Sequence, residues 1–188
     1  GQEALAWIVD VPALEQQLFQ AVRYQPQIEL VAAPAKAALT VVCEGKQSRS
    51  RAEFGVQWTV KPYPQKAVAA RLDSDVPHMG VARQWFAGGD IVALLPLAGE
   101  AGNSVALVWS VSVERAEALE KLSAEEFCAA LQAICGPGAG NLHLRSARAS
   151  WPLALYNADH WVGTGWALAG DAAHTVHPLS GQGLNLGL

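Results

Sequence analysis

The sequence predicts an α+β chain with an α/β parent: an antiparallel or mixed sheet carrying helices, bracketed by two incomplete pieces of a second domain. Three observations lead there. Between Val56 and Trp151, short runs of alternating apolar residues are separated by glycine-bearing turns, the pattern of an antiparallel meander. Behind the meander, Ser123-Ala124-Glu125-Glu126 is a capping box, and Ala124, Phe127, Cys128, Leu131, Ile134 and Cys135 then fall at helical spacing. Outside it lie two short apolar runs, Leu39-Thr40-Val41-Val42-Cys43 and Trp166-Ala167-Leu168-Ala169, which read as buried strands. Boundaries fall near residues 55 and 153, giving segments 1–55, 56–152 and 153–188.

In chain order, Asp10 or Val11 caps a helix with Pro12 in its first turn, and Leu14, Leu18, Ala21 and Val22 form one apolar stripe. Arg23 to Gln27 is a polar exit, and Ile28 to Ala32 a candidate strand. The strand Leu39–Cys43 runs into Glu44-Gly45-Lys46-Gln47-Ser48-Arg49-Ser50-Arg51. This is not a phosphate-binding loop, because Thr40 stands where a glycine is required and no Ser or Thr follows Lys46. In the meander Val68, Ala70 and Leu72 alternate with Ala67, Ala69 and Arg71; Val81–Phe86, Ile91–Leu97 and Ser104–Val111 follow. Val105, Leu107, Trp109 and Val111 share one face of the last of these. Glu114–Lys121 is a charged surface helix, and Gly136-Pro137-Gly138 stops the capping-box helix. Leu142–Trp151 is a further strand, ended by Pro152.

Composition narrows the function. Of 188 residues 51% are apolar and 16% charged, against about 25% charged in an ordinary domain. A net charge of −4 argues against a nucleic-acid surface. Seven Trp either fill the core or offer aromatic surface to a flat or greasy ligand. Cys43, Cys128 and Cys135 form no disulfide framework and read as thiols of a reducing cytoplasm. No apolar run reaches the roughly 20 residues of a membrane span. Gly1 in place of Met, and an end within a helix, give the expectation that the chain is cut from a longer protein. Asp171, His174 and His177 are spaced three apart, but Pro178 denies His177 a helical conformation, so no metal site is expected. No nucleophile elbow or carboxylate pair points to hydrolysis.

The most informative stretch is the last. The run Trp166–Ala169 ends in Gly170-Asp171, and carboxylates at the carboxyl ends of strands sit where open α/β sheets bind ligands. Pro178 makes Thr175 to Ser180 a loop. Ser180 then caps a new helix whose first amides Gly181 and Gly183 leave uncovered, an arrangement suited to a polar or anionic group.

Gly170-Asp171-Ala172-Ala173-His174, followed by His177-Pro178-Leu179-Ser180-Gly181-Gln182-Gly183-Leu184-Asn185-Leu186-Gly187, resembles the second flavin fingerprint of FAD-dependent aromatic hydroxylases. Its wording resembles the ubiquinone-biosynthesis branch, relatives of para-hydroxybenzoate hydroxylase. The resemblance implies that Asp171 holds a ribityl hydroxyl of FAD, that Pro178 lies beside the isoalloxazine, and that the glycine-opened turn at Gly181 and the amides of Gly183, Leu184 and Asn185 meet the pyrimidine edge. It makes 1–55 and 153–188 parts of an FAD-binding, Rossmann-like domain and 56–152 a substrate domain. Gly45, Ser48 and Arg51 match the family's Asp-Gly fingerprint, near FAD and the nicotinamide donor; Glu44 departs from it, standing where Asp is expected, and a solvated charged turn is the competing reading of the segment.

Short matches (Gln84-Trp85-Phe86, Leu94-Leu95-Pro96-Leu97, Val108-Trp109-Ser110, Trp151-Pro152-Leu153) sit in the family's order. They imply a substrate placed against Trp85, Phe86 and Leu95. The implied activity of the parent is an NAD(P)H-dependent flavin monooxygenase acting on a phenolic ring, here a polyprenylated phenol of ubiquinone biosynthesis. It would be a cytoplasmic protein compatible with association at the inner membrane or in a hydroxylase complex. No side chain stands out as a catalytic acid or base. The Gly-x-Gly-x-x-Gly turn for the ADP half of FAD is absent from the 188 residues, so the isolated chain is expected to bind flavin weakly and to be inactive. The competing class is a non-catalytic ligand- or partner-binding domain derived from the same fold.

Overall fold

The computed structural model describes residues 6–178 and 181–187. The chain divides into two units: residues 1–33 with 67–150, and residues 34–66 with 151–188. The first division thus falls at residue 66 where 55 was expected, and residues 1–33 group with the middle sheet. The physical reason is one strand, β2 (Trp58–Ser74), which passes from one unit into the other. The second division falls at residue 150.

The first unit begins with helix α1 (Val11–Val22), with Pro12 in its first turn. Asp10 makes no cap bond; its carboxylate instead takes Arg71 at 2.9 Å. The expected apolar stripe is not covered: no α1 residue is buried, and Leu18 and Phe19 are exposed. Residues 28–32 form no strand. Ile28, Leu30 and Val31 are exposed, and an apolar run without a neighbouring strand has nothing to ladder with.

The sheet of this unit runs β2, β5 (Ser104–Ser112), β4 (Asp90–Pro96), β3 (Arg83–Ala87) in hydrogen-bonded order. β3, β4 and β5 are an antiparallel meander. Ala87 pairs with Asp90 across a two-residue turn in which Gly88 and Gly89 have φ of 58° and 91°, the doubly left-handed turn that matches strand twist and demands glycine. Helix α3 (Val113–Lys121), expected on the surface, buries Ala116 and Leu119. Helix α4 (Ala124–Cys135) opens on the full capping box of Ser123 and Glu126, buries Phe127, Leu131 and Cys135, and stops at Gly136 with φ 66°. The core lies between sheet and helices: Val68, Leu72, Val92, Leu107 and Trp109 against Phe127 and Leu131. Trp109 is fully buried, and its indole N–H donates to Asp90 at 3.1 Å. Arg115 neutralises that carboxylate at 2.6 Å.

The strand expected over Leu142–Trp151 is two strands. β6 (Leu142–Leu144) pairs with β2, and β7 (Ala149–Ala158) runs through Pro152. Between them Arg148 donates to the carbonyls of Leu119 and Leu122 at 2.9 and 2.7 Å, occupying the open end of α3. Pro152 is tolerated because the partner on β7's outer side, described below, reaches only Tyr156 and Asn157.

In the second unit, β1 (Thr40–Val42) runs parallel to β9 (Trp166–Leu168), which pairs antiparallel with β8 (Val162–Gly163). β1 is an edge strand, so only Val42 of its residues is buried. β10 (His174–Thr175) adds to β7, which neighbours the first half of β2. The helices are α2 (Arg49–Glu53) and α5 (Gly183–Gly187). The core is small: Val42, Val56, Ala158, Leu168, Ala172 and Ala173, with Phe54 and Trp166 stacked at 4.8 Å beside it.

Candidate functional site

The site is built where β9 ends. Ala169 N–H donates to Val42 O at 2.9 Å, carrying the parallel ladder one residue past the strand. Gly170, at φ 59°, then turns the chain into a single 3-10 turn, Gly170–Ala172. Ala173 N–H closes it on Gly170 O at 2.9 Å, and Ala173 O takes Ala158 N–H at 2.9 Å. Ala172 and Ala173 are buried while Asp171 between them and Gly170 is exposed. The backbone is thus pinned on both sides of a carboxylate that faces solvent at the carboxyl end of a strand. Thr175, expected in a loop, is the last residue of β10.

Arg51 reaches this turn from α2. It is 7% exposed. Its guanidinium donates to Ala172 O at 3.1 Å and to Lys46 O at 2.8 Å, and its carbon lies 3.7 Å from the Trp58 ring centroid. Burial draws its pKa below the ordinary arginine value. Trp58 stacks on Tyr156 at 5.6 Å, and the Lys46 ammonium lies 5.5 Å over Tyr156. Glu44, the residue that departs from the family's fingerprint, folds back on α2. Its carboxylate accepts the Ser50 hydroxyl at 2.7 Å, the Ser48 hydroxyl at 2.8 Å and the Ser50 amide at 3.1 Å. The Ser50 hydroxyl foremost, with these other donors, holds the Glu44 carboxyl down at about 2.

Helix α5 comes down on the same turn. A Cβ on Gly187 would stand 3.1 Å from Gly170 Cα, so glycine at 187 permits the approach, while Gly170 is set by its φ of 59° and has open space beside it. Gly181 has φ 63°, and nothing lies within 4 Å of a Cβ built on Gly183. Leu184 and Asn185 are exposed, and the Asn185 side-chain amide donates to Gln182 at 2.7 Å. The helix starts at Gly183, and Leu186 N–H donates to Gln182 O at 2.9 Å; Ser180, expected as its cap, lies outside the described residues. Five helical residues carry little dipole, so the helix adds no strong field to the site. The exposed carboxylate and the open glycine positions fit a polyol-bearing flavin: an acceptor for hydroxyls beside uncrowded backbone.

Before Pro178, His177 is half-buried, bonds Gln65 at 3.3 Å and meets the Tyr63 ring edge-on at 5.1 Å. Burial lowers its pKa. His174 stacks flat on Trp161 at 4.8 Å, with its Nδ1 buried and unpartnered. Among the described residues no three His, Cys, Asp or Glu side chains are placed to hold a metal ion.

The three residues expected at a substrate divide. Trp85 opposes Val92, and Val92 opposes Trp109. Directly opposed residues share a sheet face, so Trp85 packs with the helix-covered core. Phe86 opposes Ile91 and Leu95 opposes Ala106, placing both on the other face; Phe86 is 68% exposed. The tryptophans divide similarly: Trp109 is fully buried, Trp161 and Trp151 are partly exposed, and Trp7 is 86% exposed.

Sequence reasoning missed the contact of Arg51 with Ala172, 121 residues away. The Ser48-x-x-Arg51 spacing marked the arginine without showing what it holds.

A strand-end carboxylate on a pinned turn and a glycine-opened helix start stand in the second unit, and a meander with helices behind it in the first. The FAD binding domain family model matches residues 25–188, and the chain belongs to that family. It is 34% identical over 150 residues to the uncharacterized protein slr1300 of Synechocystis, covering 80% of this chain and 36% of that one. To the ubiquinone hydroxylase UbiL of Rhodospirillum rubrum it is 34% identical over 153 residues, with 81% and 35% covered. To the human mitochondrial ubiquinone biosynthesis monooxygenase COQ6 it is 31% identical over 184 residues, with 79% and 38% covered. The chain therefore spans about a third of the length of these curated relatives. Among solved structures, PqsL of Pseudomonas aeruginosa, a probable FAD-dependent monooxygenase, shares the fold with a TM-score of 0.66 at 23% identity, over 80% of this chain and 42% of that one. Aklavinone-11 hydroxylase, solved with FAD and aklavinone, does so with a TM-score of 0.59 at 19% identity, over 77% and 28%.

Proposed function

We propose that this chain is the substrate sheet and closing flavin segment of an FAD-dependent monooxygenase that hydroxylates a phenolic ring, a polyprenylated phenol of ubiquinone biosynthesis. The observation that carries the reading is Asp171, exposed on a turn that is bonded on both sides and packed against Gly187. The names of two relatives, the ubiquinone hydroxylase UbiL and the ubiquinone biosynthesis monooxygenase COQ6, support this choice of substrate class. In this reading Asp171 accepts ribityl hydroxyls, and Pro178 walls the ring. Gly181 and Gly183 keep the approach clear, and the amides of Gly183, Leu184 and Asn185 meet the pyrimidine edge. FAD, when bound, takes electrons from NAD(P)H and supplies the oxidising chemistry with O₂.

The chain's own residues position the ring, exclude water and leave the aromatic substrate an apolar sheet face. That face is the one carrying Phe86 and Leu95; Trp85 supports it from behind. No helix of the described residues is long and apolar enough to cross a membrane. The proposed site of action is the cytoplasmic side of the inner membrane, or a hydroxylase complex there, where a prenylated substrate is met at the surface. The adenosine and pyrophosphate contacts lie in other segments of a polypeptide of the relatives' length. Without them the 188-residue chain binds FAD weakly and is inactive.

Equilibrium dialysis with FAD tests this. The chain should bind measurably but no tighter than roughly micromolar, and Asp171→Ala should weaken it by about tenfold, the loss of one or two hydrogen bonds to a charged acceptor. Equal affinity of wild type and Asp171→Ala would overturn the site, and a non-catalytic ligand-binding domain would then lead. In the polypeptide of full family length, NAD(P)H-dependent hydroxylation of a polyprenylated phenol is the companion assay.

A further inference from the structure

Arg51 is a buried cation whose two side-chain hydrogen bonds both end on neutral main-chain carbonyls: Ala172 O at 3.1 Å and Lys46 O at 2.8 Å. Burying a guanidinium costs free energy unless its donors are satisfied. Here the fork is satisfied by two chain segments at once, with the face of Trp58 beneath it. One of those carbonyls belongs to the residue that follows Asp171. We propose that Arg51 is a positioning residue: by holding the Ala172 carbonyl it fixes the Gly170–Ala173 turn, and with it the direction in which Asp171 presents its carboxylate. The proposal rests on the flavin reading only for what Asp171 holds; the turn itself is testable with no ligand.

The geometry assigns the role to arginine in particular. A lysine ammonium is a point donor on a flexible stem and cannot bridge two carbonyls in a fixed plane or lie flat on an indole. The other restraints on the turn are internal to it or to its neighbours: Ala173 N–H on Gly170 O, and Ala173 O on Ala158 N–H, both at 2.9 Å. The Ala172 carbonyl and the Ala173 N–H belong to one peptide plane, held by Arg51 on one edge and by Gly170 O on the other. Without Arg51 the plane keeps only the bond inside the turn, and the turn that carries Asp171 loosens.

Two amides report the difference. Ala173 N–H is bonded inside the turn, and Ala169 N–H is bonded to Val42 in the adjoining ladder, each at 2.9 Å. In amide hydrogen exchange on the unliganded chain, Arg51→Ala should speed Ala173 by about tenfold or more and leave Ala169 within about twofold. Arg51→Lys should lie between, and it carries the same comparison should the alanine variant not fold. A parallel rise at both amides means general loosening of the fold and overturns the proposal, as does an unchanged Ala173.

Dialysis with FAD adds the second arm. Arg51→Ala should weaken binding, and Arg51→Ala with Asp171→Ala should bind no worse than Asp171→Ala alone, because one residue acts through the other. Losses that multiply in the double variant overturn the positioning role. If Asp171→Ala itself leaves FAD affinity unchanged, the flavin reading falls, and the exchange comparison alone decides the role of Arg51.

Discussion

Glu44 stands where the resemblance expects Asp, and its carboxylate is taken up within its own segment. A carboxylate on the longer arm reaches back to three donors on Ser48 and Ser50 and closes the start of α2. Its pKa is held at about 2 against an ordinary 4.5. A depressed folded pKa means stabilisation that is present above the unfolded value and lost as pH falls through the folded one. Stability should therefore decline between pH 4.5 and about 2 through this group. Glu44→Gln should flatten that part of the curve, read as denaturation midpoint against pH in wild type and variant. Should the two curves stay parallel, the carboxylate does not hold α2. Glu44 is bonded to Ser48 and Ser50, and Arg51 is the member of that segment seen to reach the Gly170–Ala172 turn.

Elements here are decided by their ends and edges. Ser123 and Glu126 exchange bonds at 3.2 and 2.8 Å, so Ser123→Ala should cost about 1 kcal/mol in chemical denaturation, the usual worth of a cap. A neutral result would mean that packing of Phe127 and Leu131 alone sets the register of α4. The capping box, the Gly88-Gly89 turn and the Gly136 stop were readable because each is local chemistry with one favoured backbone solution. Strand length was not. β2 continues through Pro62 and Pro64, and β7 through Pro152, because what a proline costs depends on which side of it a neighbour lies. Residues 28–32 carry strand composition and have no strand beside them. α3 carries a charged sequence and buries Ala116 and Leu119, since one turn of apolar contacts suffices once a sheet lies beneath it.

At the scale of the molecule, each unit has its own core, and the two differ in kind. The first centres on large side chains, with Trp109, Phe127, Leu72 and Leu131 fully buried. The second is six residues, three of them alanine. Leu131→Ala should accordingly cost toward the upper part of the roughly 2–5 kcal/mol range for such truncations, and Leu168→Ala toward the lower. Leu131 is fully buried among large side chains, whereas Leu168 keeps 6% exposure beside three buried alanines, so less packing is lost there. Urea denaturation of the two variants compares them; equal losses, or the reverse order, would contradict this assignment of the cores.

By itself the sequence determined the class of chain, the capping box and glycine stop of α4, the order of the meander and the glycine-framed segment around Asp171. Those features are written in neighbouring residues and in spacing. Only the tertiary structure decided that Arg51 holds the Ala172 carbonyl, that Gly187 rests against Gly170, and that Trp85 turns to the core while Phe86 and Leu95 do not. Contacts between segments far apart in sequence depend on register and packing, which no local pattern encodes. Alternation tells which residues of a strand share a face, but the packing of helices decides which face is the core.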